Sequence, residues 1–226
     1  MFGATGFGAS PITIPVLVHV LPLTFVVPLA ALLDLSSRLA LGFHTRRQAD
    51  TREILILVPF TLVGLGLGVT LLVGLPRDAT MLALGLFVCA YALSVIFRRG
   101  RPTRPLSGRW AAPAGVLGGV IGALFGMGGP PYVVYLTGRI PEPAAQRATI
   151  SQMVILNVGL RVAAFAVAGL LLSRALWLTA TLLLPVAWAG LWLGNRVHTS
   201  LTPAMTTRVI GVALLITGGA LIVRAL

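Results

Sequence analysis

Four residues inside long apolar runs carry groups that could do chemistry: Asp34, Arg38, Asn157 and Arg161. Asp34 and Arg38 are four apart, as are Asn157 and Arg161, so on a helix each pair shares one face. A charge at the centre of a bilayer costs about 3 kcal/mol on insertion scales and must face protein or a water-filled cavity. On a functional reading, Arg38 and Arg161 supply positive potential for an anion, and Asp34 is the candidate proton-coupling site. On a structural reading, Asp34 and Arg38 form a neutralised pair that locks segments together, with Arg38 also able to snorkel toward the basic residues Arg46 and Arg47. Arg161 has no acidic neighbour in sequence, which favours function there. For Asp34 and Arg38 the two readings balance.

The second source of chemistry is bare backbone. GATGFGASPITIP at residues 3–15 and GALFGMGGPPYVVYL at 122–136 put several Gly and Pro where an uninterrupted helix would run, so each is predicted to unwind near its middle. A restarting helix presents unpaired N–H groups and the positive end of its dipole, which suits an anion. The candidates are Gly126, Gly128 and Gly129, whose backbone a ligand can approach closely, with Pro130 or Pro131 in the first turn of the new helix. The weaker copy supplies Gly6, Gly8, the Ser10 hydroxyl and Pro11. Gly also serves close packing of membrane helices, where Gly and Pro are common, but two matched occurrences argue against packing alone.

The surrounding elements must be membrane spans. Of the 226 residues, 57% are hydrophobic and 10% charged, with a mean hydropathy of +0.98, against about 25% charged in a soluble domain. A soluble globule is excluded, because one or two cores could not bury this much apolar surface. Eight apolar stretches run over residues 1–18, 24–43, 54–74, 79–97, 111–137, 145–172, 175–194 and 204–223. Most reach the ~20 residues of a spanning helix and far exceed the ~10-residue alternating strands of a barrel. The expected fold class is an all-α polytopic membrane protein.

The formal charge of +12 comes from 17 Arg and no Lys, in short clusters between apolar runs. That distribution marks membrane flanks and not a nucleic-acid groove. The absence of Lys fits a bias in base composition, so it says little about phosphate or carboxylate recognition. Cys89 stands alone, excluding an internal disulfide. His19, His44 and His198 lack metal-ligand spacing with any Cys or acid, so no metal and no cofactor is expected. Trp110, Trp177, Trp188 and Trp192 include interface anchors. The start MFGATGFGASPITIP lacks the basic leader of a signal peptide. Of the acids Asp34, Asp50, Glu53, Asp78 and Glu142, all but Asp34 fall in predicted loops, and no carboxylate pair, nucleophile elbow or nucleotide loop can be assembled. An enzyme is not expected.

The Gly-rich segments begin two related halves. Gly6, Gly8 and Pro11 lie 120 residues before Gly126, Gly128 and Pro131; Asp34 and Arg38 lie 123 before Asn157 and Arg161; Pro59, Gly64, Gly68 and Gly85 lie 126 before Pro185, Gly190, Gly194 and Gly211. The reading is two four-segment repeats, residues 1–97 and 111–226, joined by a basic cytoplasmic linker at 98–110 and forming one integrated membrane domain. Each repeat opens with a Gly/Pro-broken or re-entrant helix. If all eight segments cross, the loop and flank Arg divide ten to five between the two sides. If segments 1 and 5 are re-entrant, they divide twelve to three, with Arg77, Arg174 and Arg224 outside. The positive-inside rule therefore favours an inverted repeat, and inverted repeats with broken helices place a solute site near the midplane.

GATGFGASPITIPVL and GALFGMGGPPYVVYL, each followed by a span with buried polar residues, resemble the TauE/SafE sulfite exporter family of bacterial membrane permeases. The second motif is the more specific, and the resemblance covers nearly the whole chain as two halves. It implies a multi-pass secondary transporter of the cell (inner) membrane for sulfur-containing anions such as sulfite, sulfonates or sulfoacetate. Two departures stand out. The family pattern has an apolar run before the first Gly-rich loop, whereas Met1 stands two residues before Gly3, so this copy reads as N-terminally truncated. The first loop also reads GFGASP where the second reads GMGGPP. The expected function is a permease for small anions, oxidised sulfur species such as sulfite or sulfonates, working by alternating access. An anion channel or a non-transporting membrane scaffold is the alternative, and a membrane enzyme a distant third. The expected partners are a small anionic substrate and the lipid bilayer, with no nucleic acid; a homodimer stays open.

Overall fold

The computed structural model describes residues 10–40, 48–97, 106–197 and 203–225. In chain order the helices are α1 (Ser10–Leu17), α2 (Leu23–Ala40), α3 (Thr51–Gly74), α4 (Arg77–Phe97), α5 (Ala111–Phe125), α6 (Gly129–Arg139), α7 (Pro143–Val167), α8 (Arg174–Val197) and α9 (Pro203–Ala225), with a 3₁₀ turn at Gly108–Trp110. No strand occurs among the described residues. Six of the eight apolar stretches match these helices to within about five residues, and of the first, 1–18, residues 10–17 form α1 while 1–9 fall outside the described residues. The remaining stretch, 111–137, is two helices, broken at the Gly/Pro motif as expected.

The break follows from its residues. Gly126 adopts φ +70°, a left-handed conformation that a side chain would strain, and its N–H closes the last turn of α5 on the Gly122 carbonyl at 3.0 Å. Three residues later α6 starts, with Pro130 and Pro131 in its first turn. The chain reverses direction there. The Leu106 N–H, just ahead of α5, donates to the Gly138 carbonyl at the end of α6 at 2.9 Å, and the Tyr132 ring lies against Gly118. Thus α5 and α6 form a hairpin that returns to the end of the molecule from which it entered.

That end also holds the starts of α3 and α7. Asp50 caps α3, its carboxylate accepting from the Arg52 and Glu53 amides, and the Asp50 N–H donates to Thr149 Oγ1 on α7 at 2.8 Å. Over its 24 residues α3 rises about 36 Å, enough to cross the ~30 Å hydrocarbon layer. By length and apolar composition α3 and α7 both qualify as spans. The far end is marked by the Arg224 guanidinium of α9, which donates to the His19 carbonyl beyond α1 at 2.7 Å. Consequently α1 and α6 begin near each other in the interior and run to opposite ends.

Small residues bring the helices together. Gly64 of α3 meets the Val116 backbone of α5, and Gly115 and Gly119 of α5 meet Leu57, Phe60 and Thr61 of α3, leaving no room for a Cβ. Gly85 of α4 meets Gly218 and Ile222 of α9 in the same way. Gly190, aligned with Gly64 in the repeat reading, faces open space instead. On the outside, Leu55, Val63, Leu67 and Val73 of α3 and Leu182 and Val186 of α8 are all more than half exposed. A water-facing helix would not carry such a strip, and lipid accounts for it.

Candidate functional site

Where α1 and α6 begin, polar groups from four helices converge in an otherwise apolar interior. Arg161 of α7 is 1% exposed, and Asp34 and Arg38 of α2, Ser10 of α1 and Asn157 of α7 are all buried. The Ser10 hydroxyl donates to Asp34 Oδ2, and Arg161 Nη2 lies 3.7 Å from that same oxygen. Arg161 Nη1 donates to the Gly122 carbonyl at 3.1 Å, placing a cation at the negative end of α5. Among the described residues Arg161 Nε and Nη2 have no hydrogen-bond partner. A buried donor left unmade is costly, so a guanidinium in this condition is available to a ligand.

A second strand of the network is satisfied. Thr61 Oγ1 donates to the Leu57 carbonyl at 2.9 Å, so the Tyr132 hydroxyl, 3.2 Å away, donates to Thr61. Tyr132 in turn accepts from Asn157 Nδ2 at 2.9 Å. The relay fixes the Asn157 amide against the start of α6, where its Oδ1 approaches Gly122 and Gly128.

A narrow cavity connects these groups. Its lining includes Asp34, Arg38, Gly126, Gly128, Gly129, Tyr132, Asn157 and Arg161, with Met127, Val154 and Val158 as an apolar flank. Seven of the predicted site residues, counting Asp34, therefore share one space. Ser10 adjoins it through Asp34. Pro130 and Pro131 do not line it; they begin α6 and remove two of the amides that a helix start would otherwise offer. The backbone donors at the break are thereby confined to residues 127–129, fewer than the motif suggests. Pro11 lies in the first described turn of α1, and Gly6 and Gly8 fall outside the described residues.

Two expectations change. Arg161, without an acid nearby in sequence, has one in space, since its ion pair is with Asp34 from the other half of the chain. Glu53, assigned to a loop, is in the first turn of α3 and 5% exposed. Its carboxylate accepts from the Tyr135 hydroxyl at 2.6 Å and from Arg139 Nε and Nη2 at 3.0 and 2.7 Å. Those bonds hold the Arg139 guanidinium above its ordinary pKa and tie the end of α6 to the start of α3. Asp78 likewise starts α4, Asp50 caps α3, and Glu142 stands at the N-cap position of α7 without a capping side-chain bond.

The centre thus holds a buried arginine with two unbonded nitrogens beside the helix break. The model of the family described as "Sulfite exporter TauE/SafE" matches residues 1–221. The chain belongs to that family. It is 30% identical over 195 residues, 84% of this chain and 80% of the other, to the "Probable inner membrane transporter protein TsaS" of Comamonas testosteroni. No solved structure matches. TauE/SafE members are transporters and not enzymes, so this chain is a multi-pass transporter of the bacterial inner membrane.

Proposed function

We propose that this permease moves small oxidised-sulfur anions, sulfite or sulfonates, through the cavity between α1, α2, α6 and α7 by alternating access. The carrying observation is Arg161: it is 1% exposed, it faces the break at Gly126–Gly129, and two of its nitrogens lack hydrogen-bond partners. A tetrahedral or pyramidal oxyanion fits such donors because guanidinium N–H groups and helix-start amides both point at separate oxygens. Arg38 adds positive potential, Asn157 a polar wall, and Asp34 the proton site.

The inverted repeat is part of the proposal. The α5–α6 hairpin returning to its own end, and α1 and α6 running to opposite ends, both support it. With segment 5 re-entrant, Arg52, Arg109, Arg139 and Arg147 share the cytoplasmic side, and Arg77, Arg174 and Arg224 lie outside. Rocking of the halves about the shared site would then expose it alternately.

The test is sulfite or sulfonate flux in proteoliposomes. Arg161→Ala is expected to abolish flux while the protein still inserts and elutes as wild type. Saturable, gradient-driven flux separates a permease from a channel or a scaffold. Wild-type flux from Arg161→Ala would remove the site from the pathway.

A further inference from the structure

The chain has only five acidic residues, and four of them, Asp50, Glu53, Asp78 and Glu142, stand at helix starts. Among the described residues the buried centre therefore contains two guanidiniums and one carboxylate, Arg38, Arg161 and Asp34, for a net charge of +1. We propose that this count sets the stoichiometry of transport: a monoanion is carried alone, and a dianion only together with one proton bound to Asp34. The inference rests on the transport reading above and adds its coupling rule.

A charge imbalance inside low-dielectric surroundings is penalised far more than in water. With Asp34 ionised, a monoanion makes the loaded centre neutral. With Asp34 protonated the centre is +2, and a dianion makes it neutral. A dianion facing an ionised Asp34 would leave an uncompensated negative charge.

The local geometry accommodates both states. The Ser10 hydroxyl donates to Asp34 Oδ2 and can instead accept from a protonated carboxyl, since a hydroxyl does both. Protonation also releases Arg161 Nη2 from the carboxylate 3.7 Å away and leaves it to the substrate. Asp34 thus competes with the anion for one guanidinium, and a proton decides the competition.

Among the described residues no other ionisable group shares this role. Asp34 faces Arg38 on its own helix, Arg161 on α7 and the uncharged Ser10 on α1. On α6, Tyr132 is bonded to Thr61 and Asn157. Of the remaining helices packed on α2, α5 has no ionisable side chain, and α3, α4 and α8 hold their acids and arginines at their ends. Within α4, Cys89 meets Gly218 and Tyr91 stacks on Phe87.

The experiment compares methanesulfonate, a monoanion, with sulfate, a dianion, in proteoliposomes carrying a lumenal pH dye. In the wild type, methanesulfonate flux should carry no protons and should not fall as pH rises. Sulfate flux should carry one proton per anion and, above the pH at which Asp34 titrates, fall about tenfold for each unit of rising pH, as the protonated fraction falls. Asp34→Asn should free sulfate flux from both protons and pH and slow methanesulfonate at least tenfold; Asp34→Glu, which keeps the carboxyl, should retain proton-coupled sulfate flux. Equal proton stoichiometry for the two anions, protons still moving with sulfate in Asp34→Asn, or sulfate refused by both wild type and Asp34→Asn while methanesulfonate passes, would each overturn the coupling rule alone. Methanesulfonate flux that survives Arg161→Ala would instead strike the transport reading.

Discussion

Two ionic clusters are held between α3, α6, α7 and their neighbours, and they are built in opposite ways. At the end of the molecule Glu53 accepts three hydrogen bonds of 2.6–3.0 Å from Tyr135 and Arg139. In the middle, Arg161 makes one hydrogen bond and one ion pair at 3.7 Å, and two of its nitrogens have no hydrogen-bond partner. The end cluster is saturated, with its charge matched one to one. The central cluster is under-filled and carries an excess positive charge. A saturated pair has nothing left for a ligand and acts as a strap between helices, whereas an under-filled one keeps binding capacity in reserve. The residue types are nearly the same, so the difference lies in how many partners the fold brings to each guanidinium.

The most damaging way to disturb this contrast is through the backbone beside the central cluster. A Cβ on Gly128 would overlap the Gly118 carbonyl and press on Gly122 and Asn157, although Gly128 itself has ordinary helical dihedrals. Gly128→Ala is therefore expected to cost about 3 kcal/mol of stability and to abolish anion flux by moving the start of α6 off α5. Gly159→Ala on α7, where a Cβ meets nothing within 4 Å, is the control and should melt at or above the wild-type temperature. Equal behaviour of the two variants in a detergent melt would refute the close-approach account.

Next in size is the end cluster. Glu53→Ala leaves the Tyr135 hydroxyl and two Arg139 donors without their acceptor and should cost about 2–3 kcal/mol, while the folded fraction still transports. Arg161→Ala should do the reverse, losing flux with a smaller loss of melting temperature. If Glu53→Ala melts as wild type, the strap carries no load and the comparison fails at that end.

Much of the architecture is legible in residue types alone. The spans follow from apolar runs, and the break at residues 126–128 from Gly and Pro, because both act locally on the backbone. Partnering is another matter. Asp34 and Arg38 share a helix face by spacing, yet the ion pair on Arg161 is made across the two halves, which no spacing within one segment encodes. Tyr132 is hidden for a related reason: inside PPYVVYL it reads as one more apolar ring, and only the arrival of Thr61 and Asn157 gives its hydroxyl a task. Glu53 was within reach. Asp50 followed three residues later by Glu53 is the pattern of a helix start, and it extends α3 upstream of the apolar run that begins at Ile54.

The smallest and most discriminating perturbation is at Tyr132, where the two kinds of cluster meet. Its ring packs on Gly118 as part of the structural hairpin, while its hydroxyl holds Asn157 at the cavity wall. Tyr132→Phe keeps the first function and removes the second. Thr61 still donates to Leu57, so the only donor stranded is Asn157 Nδ2, at a cost of about 1 kcal/mol. The amide then turns toward the cavity, and the half-saturating anion concentration should rise by less than about tenfold with maximal flux unchanged. A fall in maximal flux with unchanged half-saturation would place Tyr132 in the moving parts of the transport cycle, not in the wall that positions Asn157 for the anion.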